Sequence, residues 1–149
     1  MNFLKYTSIF AALLLIVLAS CEKDEVELTI PEIQTSGQWN VSAYINEVVV
    51  STPFQVDISA ADFNKNDSVV IKESSTDFWS FQTKAAINKN KGTFETKLSN
   101  CELSDPAIGI KISNGKVIHS DSIYFEIQFE DDEVPYGITY QIKGSRLKE

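Results

Sequence analysis

"SIYFEIQFE", residues 122–130, alternates without a break. Ile123, Phe125, Ile127 and Phe129 share one parity; Tyr124, Glu126, Gln128 and Glu130 share the other. Successive side chains of a strand point to opposite faces, so the stretch reads as a strand with one buried and one wetted face. The same period returns along the chain. "QWNVSAYINEVVV" sets Trp39, Val41, Ala43 and Ile45 against Asn40, Ser42, Tyr44 and Asn46. "DFWSFQTKAAI" places Trp79, Phe81, Thr83, Ala85 and Ile87 together, "GTFETKL" Phe94, Thr96 and Leu98, and "GITYQIKG" Ile138, Tyr140 and Ile142. "PFQVDI" and "DSVVIKE" are two shorter strands. No helical period is sustained, and the one predicted helical turn is "SAADF", residues 59–63, with Ser59 as N-cap.

Turn residues separate these runs. Asn114-Gly115 in "SNGK" predicts a tight hairpin joining "AIGIKI" to "KVIHS", because both residues tolerate positive φ. "NKNKG" and "EDDEVPYG" suit longer hairpin loops. Seven to nine antiparallel strands with such spacing predict an all-β fold: an up-and-down barrel of about eight strands, with a β-sandwich as the alternative.

The other sharp feature is a border at Cys21. Ile9–Leu18 is almost purely apolar, whereas Glu22, Lys23, Asp24, Glu25 and Glu27 follow the cysteine. The apolar run is short for a membrane span of about 20 residues but fits the core of a secretory signal. Leu18-Ala19-Ser20-Cys21 resembles the lipobox of bacterial lipoproteins. That resemblance implies diacylglycerol on the Cys21 thiol, cleavage before it and acylation of the new amine. The expected organisation is a signal peptide over 1–20, a lipidated cysteine and acidic tether over 21–36, and a barrel domain over 37–149. The expected address is the outer membrane, held by the acyl chains, since Glu22 replaces the aspartate that often retains lipoproteins at the inner membrane. Lys23-Asp24-Glu25 further resembles the acidic tether of surface-displayed lipoproteins; a plain solvated linker is the other reading.

Removing residues 1–20 from the 149 leaves 129, with 12 basic against 21 acidic side chains, or −9. This opposes nucleic acid as a partner, and it opposes electrostatic docking on anionic lipid. With Cys21 acylated, Cys101 has no partner within the chain, so it reads as a small buried thiol. Neither a disulfide framework nor a multi-cysteine metal site is expected, and no cofactor is called for.

Gly37-Gln38-Trp39 opens the first strand, and Gly144-Ser145-Arg146 follows the last. The pair resembles the calycin and lipocalin barrels, which implies that Trp39 closes the barrel floor and Arg146 covers its ring. The C-terminal third, "DSIYFEIQFEDDEVPYGITYQIKGSR", resembles the bacterial family described as lipid-binding putative hydrolases. Asp121, Ile123, Phe125, Phe129, Asp131, Asp132, Tyr140, Ile142, Gly144 and Arg146 carry that resemblance. It implies a lipocalin-like barrel and a lipid ligand. The chain departs from the pattern by stopping at Lys148-Glu149 instead of adding an apolar tail.

Small residues among aromatic ones on the inward faces mark a candidate ligand lining: Ala43, Thr83 and Ala85 beside Trp79 and Phe81. The same alternation also suits a filled, tapering core. No catalytic residue declares itself. His119, the single histidine, sits beside Ser120, Asp121 and Ser122, but neighbours on a strand face opposite ways. No G-x-S-x-G elbow or phosphate-cradling glycine loop is present. Asp131, Asp132 and Glu133 read as a solvated hairpin tip with too few regularly spaced oxygens for calcium. Three functions stay open: a tethered barrel binding a lipid or other apolar molecule, an accessory module of an envelope assembly, and a hydrolase.

Overall fold

The computed structural model describes residues 34–62, 65–73 and 75–148. The expected signal segment, Cys21 and the expected tether up to residue 33 lie outside the described residues. The strands are β1 (Gly37–Ile45), β2 (Val48–Val49), β3 (Phe54–Asp62), β4 (Lys65–Glu73), β5 (Phe81–Asn88), β6 (Thr93–Asn100), β7 (Gly109–Ile118), β8 (Ser122–Phe129) and β9 (Tyr140–Arg146). Each pairs antiparallel with its neighbour in the order β2-β1-β3-β4-β5-β6-β7-β8-β9, and β9 returns to β1. The closing ladder runs from Trp39↔Arg146 to Tyr44↔Gln141. Eight long strands therefore form a closed barrel rather than a sandwich, and β2 is a two-residue spur folded back on β1. No helix occurs among the described residues.

Closure leaves one inside, and the predicted parity fills it. Trp39, Val41, Ala43, Phe81, Thr83, Ala85, Ile123, Phe125, Ile127, Phe129, Tyr140 and Ile142 are all buried. Ile45, Trp79, Ile87 and Ile138 pack against this core from its margins. Cys101 is buried as expected, its thiol donating to Ser80 O at 3.8 Å.

Four predicted details come out differently. Ser59–Asp62 is strand, not a helical turn: Ser59↔Val70 and Ala60↔Val69 extend the ladder, and satisfied backbone pairing outweighs a lone cap. The first alternating run breaks at Asn46-Glu47, both at positive φ, and turns there into the β2 spur. Asn114-Gly115 is not a hairpin, since β7 runs straight through it. Ser113 pairs with Glu126 and Lys116 with Tyr124, three steps against two, so the dipeptide is a bulge with Asn114 at φ 53°. The extra residue switches the buried parity from Ile110 and Ile112 to Val117. The hairpin itself lies a few residues later, at His119 and Ser120, both at positive φ. Leu98, expected inside, is exposed because the β6–β7 register shifts between Thr96 and Ser99 and turns it outward.

The two ends of the barrel differ. One carries the short turns 89–92 and 119–121, together with Gly37 and Arg146. The other carries the long connections 46–53, 74–80, 101–108 and 130–139.

Candidate functional site

At the short-turn end Arg146 stacks on Trp39, its guanidinium carbon 4.2 Å from the ring centre. The same guanidinium donates to Ser120 O (2.8 Å), to Ser36 O (2.7 Å) and to Gln34 O. Arg146 N donates to Asp121 O at 2.8 Å, and Leu147 N to Gln38 O at 2.9 Å. A planar fork serves a ring face and several carbonyls at once, which an ammonium cannot do. The two resemblance residues thus meet, and the segment before β1 is sewn to the end of β9.

The candidate lining residues converge in the interior. Ala43 and Thr83 have no exposure, Phe81 has 1% and Ala85 2%, so side chains fill the space against them. Trp79 differs. It precedes β5, is half-buried, and stacks on Phe129 at 4.7 Å between ring centres. Phe78 stacks on Phe54 at 5.0 Å and meets Tyr140 edge-on at 5.2 Å. These rings close the long-loop end from above, and two of them, Phe78 and Trp79, hang on the connection between β4 and β5.

Among the described residues five buried side-chain polar atoms lack a hydrogen-bond partner, Asp132 Oδ2 and Gln141 Oε1 among them, and the other three stand at inward-facing strand positions. Glu73 Oε2, Thr83 Oγ1 and Trp39 Nε1 are enclosed without a hydrogen-bond partner. Register brings them onto one patch of wall. Trp39 pairs with Val56, Glu73 pairs with Phe81, and Asp57↔Lys72 sets Val56 abreast of Glu73. Trp39 and Glu73 stand two strands apart, about 10 Å of wall. Thr83, paired with Ile71, is the diagonal neighbour of Glu73, about 7–8 Å away. Glu73 is fully buried; its other oxygen accepts from Ser75 N at 2.7 Å and from Ser75 Oγ. It therefore anchors the loop that carries Phe78 and Trp79. Glu73 escaped the sequence reading, although it continues the inward parity of Val69 and Ile71.

Asp132, expected on a solvated tip, is half-buried at the same end and accepts from Tyr140 Oη at 3.2 Å. Burial, then the charge of Asp131, raises its carboxyl above the usual 3.8, against the lowering pull of the Tyr140 hydrogen bond. The Tyr140 hydroxyl is pushed up to about 12, by burial first and then by the Asp132 charge. His119 is exposed in its turn at the opposite end. Among the described residues no cluster of His, Cys, Asp and Glu could hold a metal ion.

A concavity of about 770 Å³ lies outside the barrel over β5–β8. It is an open cleft lined by outward-facing Asn88, Thr93, Glu95, Lys116, Tyr124 and Glu126. Ala86, Ile87 and Phe94 add apolar surface, so its walls are mixed in character.

The family described as "lipid-binding putative hydrolase" matches residues 24–148. The chain belongs to that family. No curated protein matches it.

Proposed function

We propose that this chain is an outer-membrane lipoprotein, acylated on Cys21 and tethered by residues 22–36, whose barrel domain (37–149) takes up one apolar chain of a lipid. The observation that carries the binding reading is the set of three unpartnered polar atoms inside an otherwise apolar barrel. Each such atom costs about 1–3 kcal/mol when left unpaired, so a guest that supplies partners is favoured there. The family description and the aromatic walls support the same reading. Because the interior is packed, the guest enters at the long-loop end by displacing Phe78 and Trp79. These half-buried rings sit on a connection rather than a strand.

Titration of the protein with long-chain amphiphiles, followed by tryptophan fluorescence, tests this. A saturable change is expected, and Trp79→Phe should reduce it by removing the indole at the entrance, leaving only the part contributed by Trp39. No saturable change with any head group would overturn it. The filled core favours a second reading, an accessory module of an envelope assembly that binds no small molecule, and that outcome would select it. The anchor is tested separately. Labelled palmitate should enter the protein, and Cys21→Ser should abolish labelling and leave uncleaved precursor; undiminished labelling would remove Cys21 from the proposal.

A further inference from the structure

The connections at the long-loop end (46–53, 74–80, 101–108 and 130–139) hold eight carboxylates and no Lys, Arg or His. Two of the eight are offset by strand lysines: Glu47 pairs with Lys143 at 2.6 Å, and Glu102 with Lys84 at 3.7 Å. Among the described residues the other six, Asp131 and Asp132 included, have no ion pair. The opposite end carries Lys89, Lys91, Arg146 and Lys148 near its turns, against Asp62 and Asp121. The mouth is thus strongly negative, and the field of so many like charges repels anions and draws cations.

An acidic rim alone is ordinary solvation, but one carboxylate is not on the rim. Glu73 is wholly enclosed just beneath it, with Oε2 unpartnered. The connection it anchors through Ser75 holds Phe78 and Trp79 at the same end of the barrel, and Phe78 meets Tyr140. Aromatic faces and a carboxylate together favour an ammonium group, through the ring quadrupole and through a charge-assisted hydrogen bond. A fatty-acid anion would meet repulsion at the rim and again at Glu73.

From this we infer that the amphiphile taken up by the barrel carries a cationic, ammonium-type head group, seated on Glu73 Oε2 beneath the rings of Phe78, Trp79 and Tyr140. The inference deepens the lipid-binding reading and rests on it. The apolar tail then lies toward Ala43, Thr83 and Ala85. Thr83 Oγ1, the diagonal neighbour of Glu73, accepts a second ammonium proton.

Three probes of equal chain length separate this inference from the reading beneath it: dodecylammonium, dodecanol and dodecanoate, each titrated at neutral pH below its micelle concentration. Dodecylammonium should bind roughly ten- to hundredfold more tightly than dodecanoate, with dodecanol between. Glu73→Gln should remove most of the ammonium preference while leaving dodecanol affinity within about twofold. Should that variant unfold, Asp131→Asn combined with Glu133→Gln on the exposed rim provides a second check. It should reduce the ammonium preference and its dependence on salt without touching the interior. Equal or tighter binding of dodecanoate would overturn the head-group assignment and leave lipid binding standing. Binding of none of the three would overturn the lipid-binding reading itself.

Discussion

Arg146 holds a ring face and three backbone carbonyls from two segments, 110 and 26 residues distant in sequence. Truncating it removes a cation–π contact and charge-assisted bonds, so Arg146→Ala should cost about 2–4 kcal/mol in urea unfolding. Arg146→Lys, which keeps the charge but not the fork, should recover less than half of that. On β8, Phe125→Ala empties a core position and should cost about 3–5 kcal/mol. Strand alternation alone makes Glu126→Ala next to neutral. The structure changes that expectation, because Glu126 accepts from Tyr124 Oη (2.7 Å), Asn114 Nδ2 (2.8 Å) and Ser113 Oγ (3.3 Å). Its loss should cost about 1 kcal/mol, read as a shifted urea midpoint. Asp132 has a pH signature. Its carboxyl is raised in the fold, mainly by burial, so it favours folding below its ordinary value of 3.8 and loses that contribution as pH rises through the folded value. Asp132→Asn should therefore raise Tm at neutral pH and leave it unchanged in acid below 3.8, a comparison for calorimetry at two pH values.

At the scale of elements, the bulge in β7 is where local signal and tertiary demand part. Asn-Gly is a strong hairpin signal, yet Ile110–Phe129 through Ile118–Ser122 form one continuous ladder around it. Gly115 is required there for a different reason than a turn. A Cβ at that position would lie 2.3 Å from Phe94 O and 2.5 Å from the Phe94 ring. Gly115→Ala must push β6 away from β7 and should cost more than Asn114→Ala, which carries the left-handed penalty of about 1 kcal/mol at φ 53° and the loss of one exposed bond to Glu126. Comparable losses from the two in thermal unfolding would show that β6 yields easily. The bulge also explains the external cleft, since Asn114 and Gly115 line it.

Over the whole molecule, closure gives the barrel two unlike ends, one sewn by Arg146 and tight turns, the other acidic, long-looped and roofed by aromatic rings. The exposed Val48, Val49, Val50, Leu103 and Val134 all lie on the long-looped end. Raising ionic strength should weaken any cationic ligand's association there while leaving the urea midpoint nearly unchanged, because the rim charges are solvated and the core is not.

Strand identity and inner face were legible from sequence wherever alternation runs unbroken, as in β8 from Ile123 to Phe129, because period two is a property of the single strand. Closure was legible too, through Trp39 and Arg146 at the two ends of the domain. What alternation cannot carry is register between strands. A one-residue bulge moves every later side chain to the other face, which is why Leu98 and the Asn114-Gly115 dipeptide were misplaced. The same limit hid the candidate site. Glu73 stood on the inward parity all along, but a charged residue at a strand's end reads as solvent-facing until a closed barrel and the connection beginning at Ser75 bury it. Whether a carboxylate meets water or a packed interior is decided by elements distant in sequence, and only the tertiary structure brings them together.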